Sequence, residues 1–300
     1  MSEENRRAGF VAVIGAPNAG KSTLVNALVG QKVAIVSAKA QTTRARLMGI
    51  AIAGEAQILL VDTPGIFQPR RRLDRAMVQA AWSGAEDAYV ILLVIDSDAG
   101  MNSEVERAIA GLEKRQHPLF LALNKVDLVK KEKLLGLSLQ LTERLKPDQV
   151  FMISAAQDDG VPDLKSALAE ALPEGPWLYP EDEVSDATDR MVAAELTREQ
   201  VYEQLHQELP YASAVETETW EDREDGSTAI RQQILVERDS QKAIVIGKGG
   251  RRLKEIGQAS REAISEHLGR KVHLFLHVKV NPRWGEDRAL YRDIGLEWAD

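Results

Sequence analysis

Gly15-Ala16-Pro17-Asn18-Ala19-Gly20-Lys21-Ser22 is the stretch that decides the fold. It matches G-x-x-x-x-G-K-[ST], a loop whose backbone N–H groups wrap phosphate oxygens. The apolar run Phe10 to Ile14 leads into it, and Ser22 to Leu28 reads as the start of a helix. Strand, glycine loop and helix in that order are what the loop's mechanics require, because the helix N-terminus adds partial positive charge. A glycine-rich turn before an ordinary helix is the bland alternative, and the downstream sequence argues against it.

Three more short patterns follow, each just past an apolar run. Asp62-Thr63-Pro64-Gly65 ends the run Gln57 to Val61. Asn124-Lys125-Val126-Asp127 ends Leu119 to Leu123, and Ser154-Ala155 ends Val150 to Ile153. A further run spans Tyr89 to Ile95. Helical stretches lie between them at Leu73 to Trp82, Ser103 to Arg115 and Leu134 to Leu145. Apolar strands alternating with helices predict an α/β domain, a mostly parallel sheet with helices on both faces. Ligands bind such sheets outside the carboxyl ends of the strands, where all four patterns fall.

The chemistry can be assigned residue by residue. Lys21 reaches the β- and γ-phosphates, and the Ser22 hydroxyl ligates magnesium. Asp62 takes the second magnesium contact, directly or through water. Gly65 lets the backbone approach the γ-phosphate without a Cβ in the way. Asp127 selects the base: a carboxylate accepts from guanine N1 and from its exocyclic amine, and adenine offers no such donor pair. Asn124 ties loops together, the Lys125 stem lies over the ring, and Ser154-Ala155 supplies a backbone N–H to the guanine carbonyl. In Gln41-Thr42-Thr43-Arg44, Thr43, with Thr42 as the fallback, completes the magnesium shell. The expected nucleotide contacts are Gly15, Ala16, Pro17, Asn18, Ala19, Gly20, Lys21, Ser22 and Thr23; Asp62, Thr63, Pro64, Gly65 and Ile66; Asn124, Lys125, Val126 and Asp127; and Ser154 and Ala155. Lys21, Asn18, Thr43 and Gly65 are the candidates for hydrolysis, and Ser22, Thr43 and Asp62 for magnesium. Taken singly, each short pattern could be a turn or a strand-end cap.

The chain has 300 residues, 44% hydrophobic, enough for two domains with real cores. It has no cysteine, which excludes disulfides and cysteine zinc sites. Met1-Ser2-Glu3-Glu4-Asn5 is polar, unlike a signal peptide, and the longest apolar run is too short to span a bilayer, so the expected setting is the cytoplasm. The formal net charge of −8 is unevenly spread. Residues 231–292 hold 14 Lys and Arg against 7 Asp and Glu, a net of +7 that leaves −15 for the rest. Such asymmetry points to a nucleic-acid partner for the C-terminal part, where a solvated charged face is the plainer reading.

Pro173-Glu174-Gly175-Pro176 and Pro180-Glu181-Asp182-Glu183 read as a linker. The expected division is 1–173, a linker over 174–189, and 190–300. The last part runs helix (Met191 to Leu209), strand (Ala214 to Trp220), turn, strand (Thr228 to Val236), the stretch Gln241 to Gly250, a helix from Arg251, a second helical run to Leu268 and the strand Lys271 to Val280. Ile246-Gly247-Lys248-Gly249-Gly250-Arg251-Arg252-Leu253 matches the I-G-x-x-G-x-x-[IL] core of KH domains. Two glycines let the loop press its backbone against a nucleic-acid backbone. Lys248, Arg251, Arg252 and Lys254 add positive charge, and Arg238, Lys242 and Lys279 widen the basic face. Ile244, Ile246, Leu253 and Ile256 are expected to line a groove for about four splayed nucleotides. His273 and His277 read as ordinary strand residues with no carboxylate nearby, and Trp284 as a packed indole.

The element order resembles the prokaryotic (type II) KH variant, and the first set of motifs resembles the translation-factor-related class of GTPases. Ile66 stands where small signalling GTPases carry a water-orienting glutamine, which implies slow intrinsic hydrolysis or outside help. Asn18 matches an asparagine that holds an activating potassium ion in related GTPases. Gln41-Thr42-Thr43-Arg44, Asp62 to Gly65, Asn124 to Asp127, Leu209-Pro210-Tyr211 and Ile234-Leu235-Val236-Glu237-Arg238 together are similar to the Era family over nearly the whole chain. That resemblance implies a GTP/GDP- and magnesium-dependent switch, and the chain is separately expected to be a monomer. It would bind single-stranded RNA near the 3′ end of 16S ribosomal RNA and assist maturation of the 30S ribosomal subunit. It also implies peripheral association with the inner membrane face. A rival from another class is a GTP-sensing regulatory or membrane-recruitment protein whose KH-like module binds protein. A metabolic ATPase using the same loop is a second rival.

Overall fold

The computed structural model describes residues 5–37, 47–205 and 209–299. They form two compact units. One holds the chain up to Asp186 together with the segment from Leu296, and the other is Ala187–Gly295.

The first unit runs β1 (Arg7–Gly15), α1 (Lys21–Val29), β2 (Leu47–Ala53), β3 (Ala56–Asp62), α2 (Arg72–Glu86), β4 (Val90–Asp96), α3 (Ser103–Leu112), β5 (Leu119–Asn124), α4 (Lys131–Leu145), β6 (Gln149–Met152) and α5 (Val161–Ala171). The sheet order is β2-β3-β1-β4-β5-β6, parallel except that β2 runs antiparallel to β3. Period-two alternation feeds both faces. In β4, Val90, Leu92 and Val94 pack under α1 and α5, while Ile91, Leu93 and Ile95 pack under α2, α3 and α4. A sheet buried on both sides needs continuous apolar runs, which is why these strands were visible in the sequence. Each fully buried Leu or Ile contributes about 1.5–3 kcal/mol of transfer free energy.

β2 was not anticipated. Its residues, Leu-Met-Gly-Ile-Ala-Ile-Ala, are poor in β-branched and aromatic side chains. It exists because a short turn at Gly54 and Glu55 folds it back onto β3.

The stretch read as a linker is anchored over most of its length. The buried Gln57 amide donates to the Tyr179 carbonyl and accepts from the N–H groups of Leu178 and Tyr179. Trp177 Nε1 donates to the Glu55 carbonyl, and Ile50 N–H donates to the Val184 carbonyl. The polar composition that suggested a free connector thus belongs to a strap along the β2–β3 edge.

The second unit runs α6 (Asp189–Gln204), β7 (Ser213–Asp222), β8 (Thr228–Val236), α7 (Asp239–Ile246), α8 (Arg251–Leu268), β9 (Val272–Val280) and α9 (Arg288–Asp293). β8 lies between an antiparallel β7 and a parallel β9. The order is α-β-β-α-α-β with α9 added, but the two central helices are not the ones expected. Arg251 to Leu268, read as two helical runs, is one continuous helix of 18 residues, and the other helix, α7, precedes the glycine loop. Val201, Ile234, Ile256 and Val278 share its core. Trp284 is buried, at 3% exposure.

Candidate functional site

The first unit gathers its four motifs at the carboxyl ends of β1, β3, β5 and β6. Gly20 caps α1 in the left-handed region (φ 92), so the loop turns directly into the helix and aims its first N–H groups at the loop's hollow. Lys21 is only 6% exposed. Its ammonium donates to the carbonyls of Ala16 (3.0 Å) and Gly15 (3.3 Å), two acceptors that phosphate oxygens can replace. Burial pulls its pKa down to about 8, against the opposing pull of the Asp62 and Glu104 carboxylates. On the reading that Lys21 binds phosphate, bound phosphates hold the ammonium form. Affinity for GDP is therefore full below about pH 8 and falls above it by up to about tenfold per pH unit. Calorimetric titration from neutral into alkaline buffer checks this, and a flat profile refutes it.

Ser22 Oγ donates to Asp62 Oδ2 at 2.8 Å, and Asp62 is fully buried. A hydroxyl and a carboxylate side by side are the hard oxygen donors that magnesium prefers, so these residues fit the ion. Thr63 Oγ1 donates to the Val13 carbonyl at 2.7 Å, locking this turn to β1. A Cβ on Gly65 would meet Pro17 N at 2.8 Å, so the glycine is already needed for contact with the phosphate loop itself. Ile66 is fully buried in the core with Ala81 and Ile109, and its N–H donates to the Gly15 carbonyl at 2.9 Å. Pro64 is buried, Thr23 and Pro17 are half-buried, and Asn18 is exposed. Thr43 and Thr42 lie outside the described residues.

Asn124 joins three motifs. Its Nδ2 donates to the Ala19 carbonyl at 2.8 Å, and its Oδ1 accepts from Ala155 N–H at 3.0 Å. Lys125 Nζ donates to the Asn18 carbonyl at 2.8 Å. Asp127 is exposed in a short 3-10 turn, Val126–Leu128, and has no hydrogen bond or ion pair among the described residues. The backbone donors expected to meet a guanine carbonyl are engaged internally, Ser154 N–H with the Asp159 carbonyl (3.0 Å) and Ala155 N–H with Asn124. Beside them opens a cleft of about 720 Å³ lined by Asn26, Gly30, Lys32, Ala155 and Asp158 among others. Three of the four non-glycine residues with positive φ among those described, Asn18, Lys125 and Asp158, stand in these loops. Such strain collects where a site over-determines the backbone. Sequence reasoning missed Asp96, which accepts from Lys125 Nζ at 2.7 Å. Its only signal was a carboxylate closing an apolar strand.

In the second unit α7 ends at Gly247 (φ 71), and a single 3-10 turn, Lys248–Gly250, leads into α8. Lys248, Gly249, Arg251 and Lys254 are exposed, and Gly250, Arg252, Ile246 and Leu253 are half-buried. Arg251 Nε donates to Glu255 at 2.9 Å, so its charge is partly spent. Ile244 is 49% exposed and can face a ligand. Ile256 cannot: it is fully buried with Ser260 and Ile264 on the inward stripe of α8. The expectation that no carboxylate lies near His277 does not hold: its Nδ1 sits 3.6 Å from Glu218 Oε2, a residue at the register irregularity of β7.

Fold and site define a P-loop GTPase domain joined to a KH module. A family model described as "50S ribosome-binding GTPase" matches residues 10–125, and one described as "KH domain" matches residues 208–285. GTPase Era of Afipia carboxidovorans is 58% identical over 292 residues, 97% of this chain and 95% of that protein. GTPase Era of Erythrobacter litoralis is 56% identical over 303 residues, covering 100% of both. An Era variant from Aquifex aeolicus, solved with GDP.AlF4-, aligns at a TM-score of 0.91 and 36% identity over 96% of this chain and 99% of that one. An Era solved with MgGDPNP and nucleotides 1506-1542 of 16S ribosomal RNA aligns at 0.92 and 36% identity over 97% and 99%. The chain belongs to the GTPase Era family.

Proposed function

We propose that this chain is a GTP-driven switch that grips the single-stranded 3′ region of 16S ribosomal RNA and assists maturation of the 30S subunit. One observation carries the reading: a solved relative 36% identical along 97% of this chain holds both a magnesium nucleotide and a 16S fragment. Functionally, 1–173 with the strap that runs on to Asp186 is the nucleotide part, and Ala187–Gly295 is the RNA part. Lys21 binds the β- and γ-phosphates while the backbone N–H groups from Asn18 to Ser22 cradle them. Ser22 and Asp62, with Thr43, hold magnesium, which when bound neutralises phosphate charge. Asp127 and Asn124 read and frame the base. A buried Ile66 cannot orient water by hydrogen bonding, so intrinsic hydrolysis is slow. Asn18, an exposed residue of the loop, is the proposed potassium ligand.

RNA is held at Gly247 to Arg252 and Lys254, and nucleotide and RNA affinities are reciprocally coupled. The setting is the cytoplasm, with the protein monomeric and peripherally associated with the inner membrane face, which cell fractionation decides. Among the described residues no helix is long and apolar enough to cross a membrane.

RNA affinity measured with a GTP analogue and with GDP tests the switch. Tighter binding with the analogue is expected, and equal affinities remove the coupling. The same preparations, hydrolysing GTP in potassium and in sodium, test Asn18, whose proposed role does not survive equal rates.

A further inference from the structure

We infer that Asp96 is a positioning residue of the nucleotide site, holding Lys125 across the crown of the phosphate loop. The inference rests on the guanine-nucleotide reading above. Asp96 closes β4, in register with Asn124 at the end of β5. Its carboxylate serves three donors. Oδ1 accepts from the N–H groups of Asp98 (2.9 Å) and Ala99 (3.1 Å), and Oδ2 from the Lys125 ammonium (2.7 Å). The same ammonium donates to the Asn18 carbonyl at 2.8 Å. Two side chains thus connect the turn after β4, the Asn124–Asp127 loop and the phosphate loop.

The turn is itself fixed. Gly100 N–H donates to the Asp96 carbonyl at 2.9 Å, and Lys133 on α4 donates to the Asp98 carbonyl at 2.6 Å. Backbone bonds therefore aim the carboxylate, and Lys125 meets a prepared partner. Both residues that the ammonium steadies are costly. Asn18 and Lys125 each have φ 63, a left-handed conformation that non-glycine residues adopt only under constraint.

A plain surface ion pair would explain the contact equally well if it stood alone, since such pairs are worth about 0–1 kcal/mol. Two features separate this one. The Asp96 side chain is 19% exposed and that of Lys125 31%, so both are half-buried rather than free in solvent. The ammonium's second acceptor belongs to the phosphate loop, so the pair links the base-reading loop to the loop that holds the phosphates. Without Asp96 the ammonium keeps only the Asn18 carbonyl as an acceptor, and the brace from the turn after β4 to the two loops is lost.

The test is a double-mutant cycle on GDP binding by the full chain. Asp96→Asn keeps the shape and the turn's acceptor but removes the charge. It should weaken GDP affinity roughly tenfold, the scale of one charge-assisted hydrogen bond, through faster release. Lys125→Met removes the ammonium and keeps an apolar stem. In the Lys125→Met background, Asp96→Asn should change nothing further. Additive losses, or unaltered affinity in Asp96→Asn alone, overturn the inference. Should Asp96→Asn fail to fold, Asp96→Ser enters the same cycle, because a serine hydroxyl can still accept in the turn. Failure of the unaltered protein to bind GDP would sink the nucleotide reading itself, and this inference with it.

Discussion

Asp127→Asn lowers the affinity for GDP and GTP by at least roughly a hundredfold and leaves the fold intact. The size follows from the chemistry. A carboxylate accepts from guanine N1–H and from the exocyclic amine, two charge-assisted bonds of about 1.5–3 kcal/mol each. An asparagine amide offers one neutral acceptor and turns its NH2 toward a donor. Losing about 3 kcal/mol net corresponds to roughly two decades in Kd. The fold survives because Asp127 is exposed and has no partner among the described residues. Xanthine nucleotides sharpen the test. Their carbonyl at the amine position accepts from the asparagine NH2, so they should lose far less affinity or gain some. Titration with GDP, XDP and ADP measures this. Equal GDP affinity in the variant would detach base recognition from Asp127 and revive the ATPase reading.

The nucleotide half was legible because its signals are local. A sheet covered on both faces writes its strands as unbroken apolar runs, and the loops between them carry chemistry in fixed backbone spacing. Lys21, Ser22 and Asp62 come together because each begins or ends an element whose sequence was plain. Legibility stopped where tertiary partners decide. β2, with two alanines and a glycine among its seven residues, is a strand that needs β3 to exist. The strap near Tyr179 is ordered by a glutamine about 120 residues upstream, which no local pattern announces. Asp96 looked like any strand-end carboxylate until Lys125 was placed beside it. Ile256 was misread for a different reason. Ile244, Ile246, Leu253 and Ile256 all looked like groove because they flank the glycine loop, but the 3.6-residue period of α8 turns Ile256 inward beside Ile264. The Ala155 donor was visible, and its engagement with Asn124 was not.

Gly249→Asp removes tight RNA binding while nucleotide binding stays unchanged, and the backbone explains why this glycine is the right probe. Gly249 has φ 63 and ψ 22, and a Cβ there meets nothing within 4 Å. Aspartate is among the few residues that tolerate the left-handed region, so the loop keeps its shape. Gly247 would be a poor choice, because its Cβ would sit 2.8 Å from the Arg252 Cβ and distort the start of α8. What changes at position 249 is therefore charge. A carboxylate stands between Lys248 and Arg251, where a phosphate is expected. Like charges in an interface cost several kcal/mol, a loss of roughly a hundredfold or more. Gly249→Asn has almost the same shape without the charge and should lose much less. The gap between the two variants should narrow as salt rises, since the repulsion is screened over about 10 Å at moderate ionic strength. Equal losses in both would mean that the loop needs a bare backbone rather than a favourable field. Undiminished affinity for 16S RNA in Gly249→Asp would take the RNA off this loop altogether, and the charge asymmetry of the chain would then need another partner.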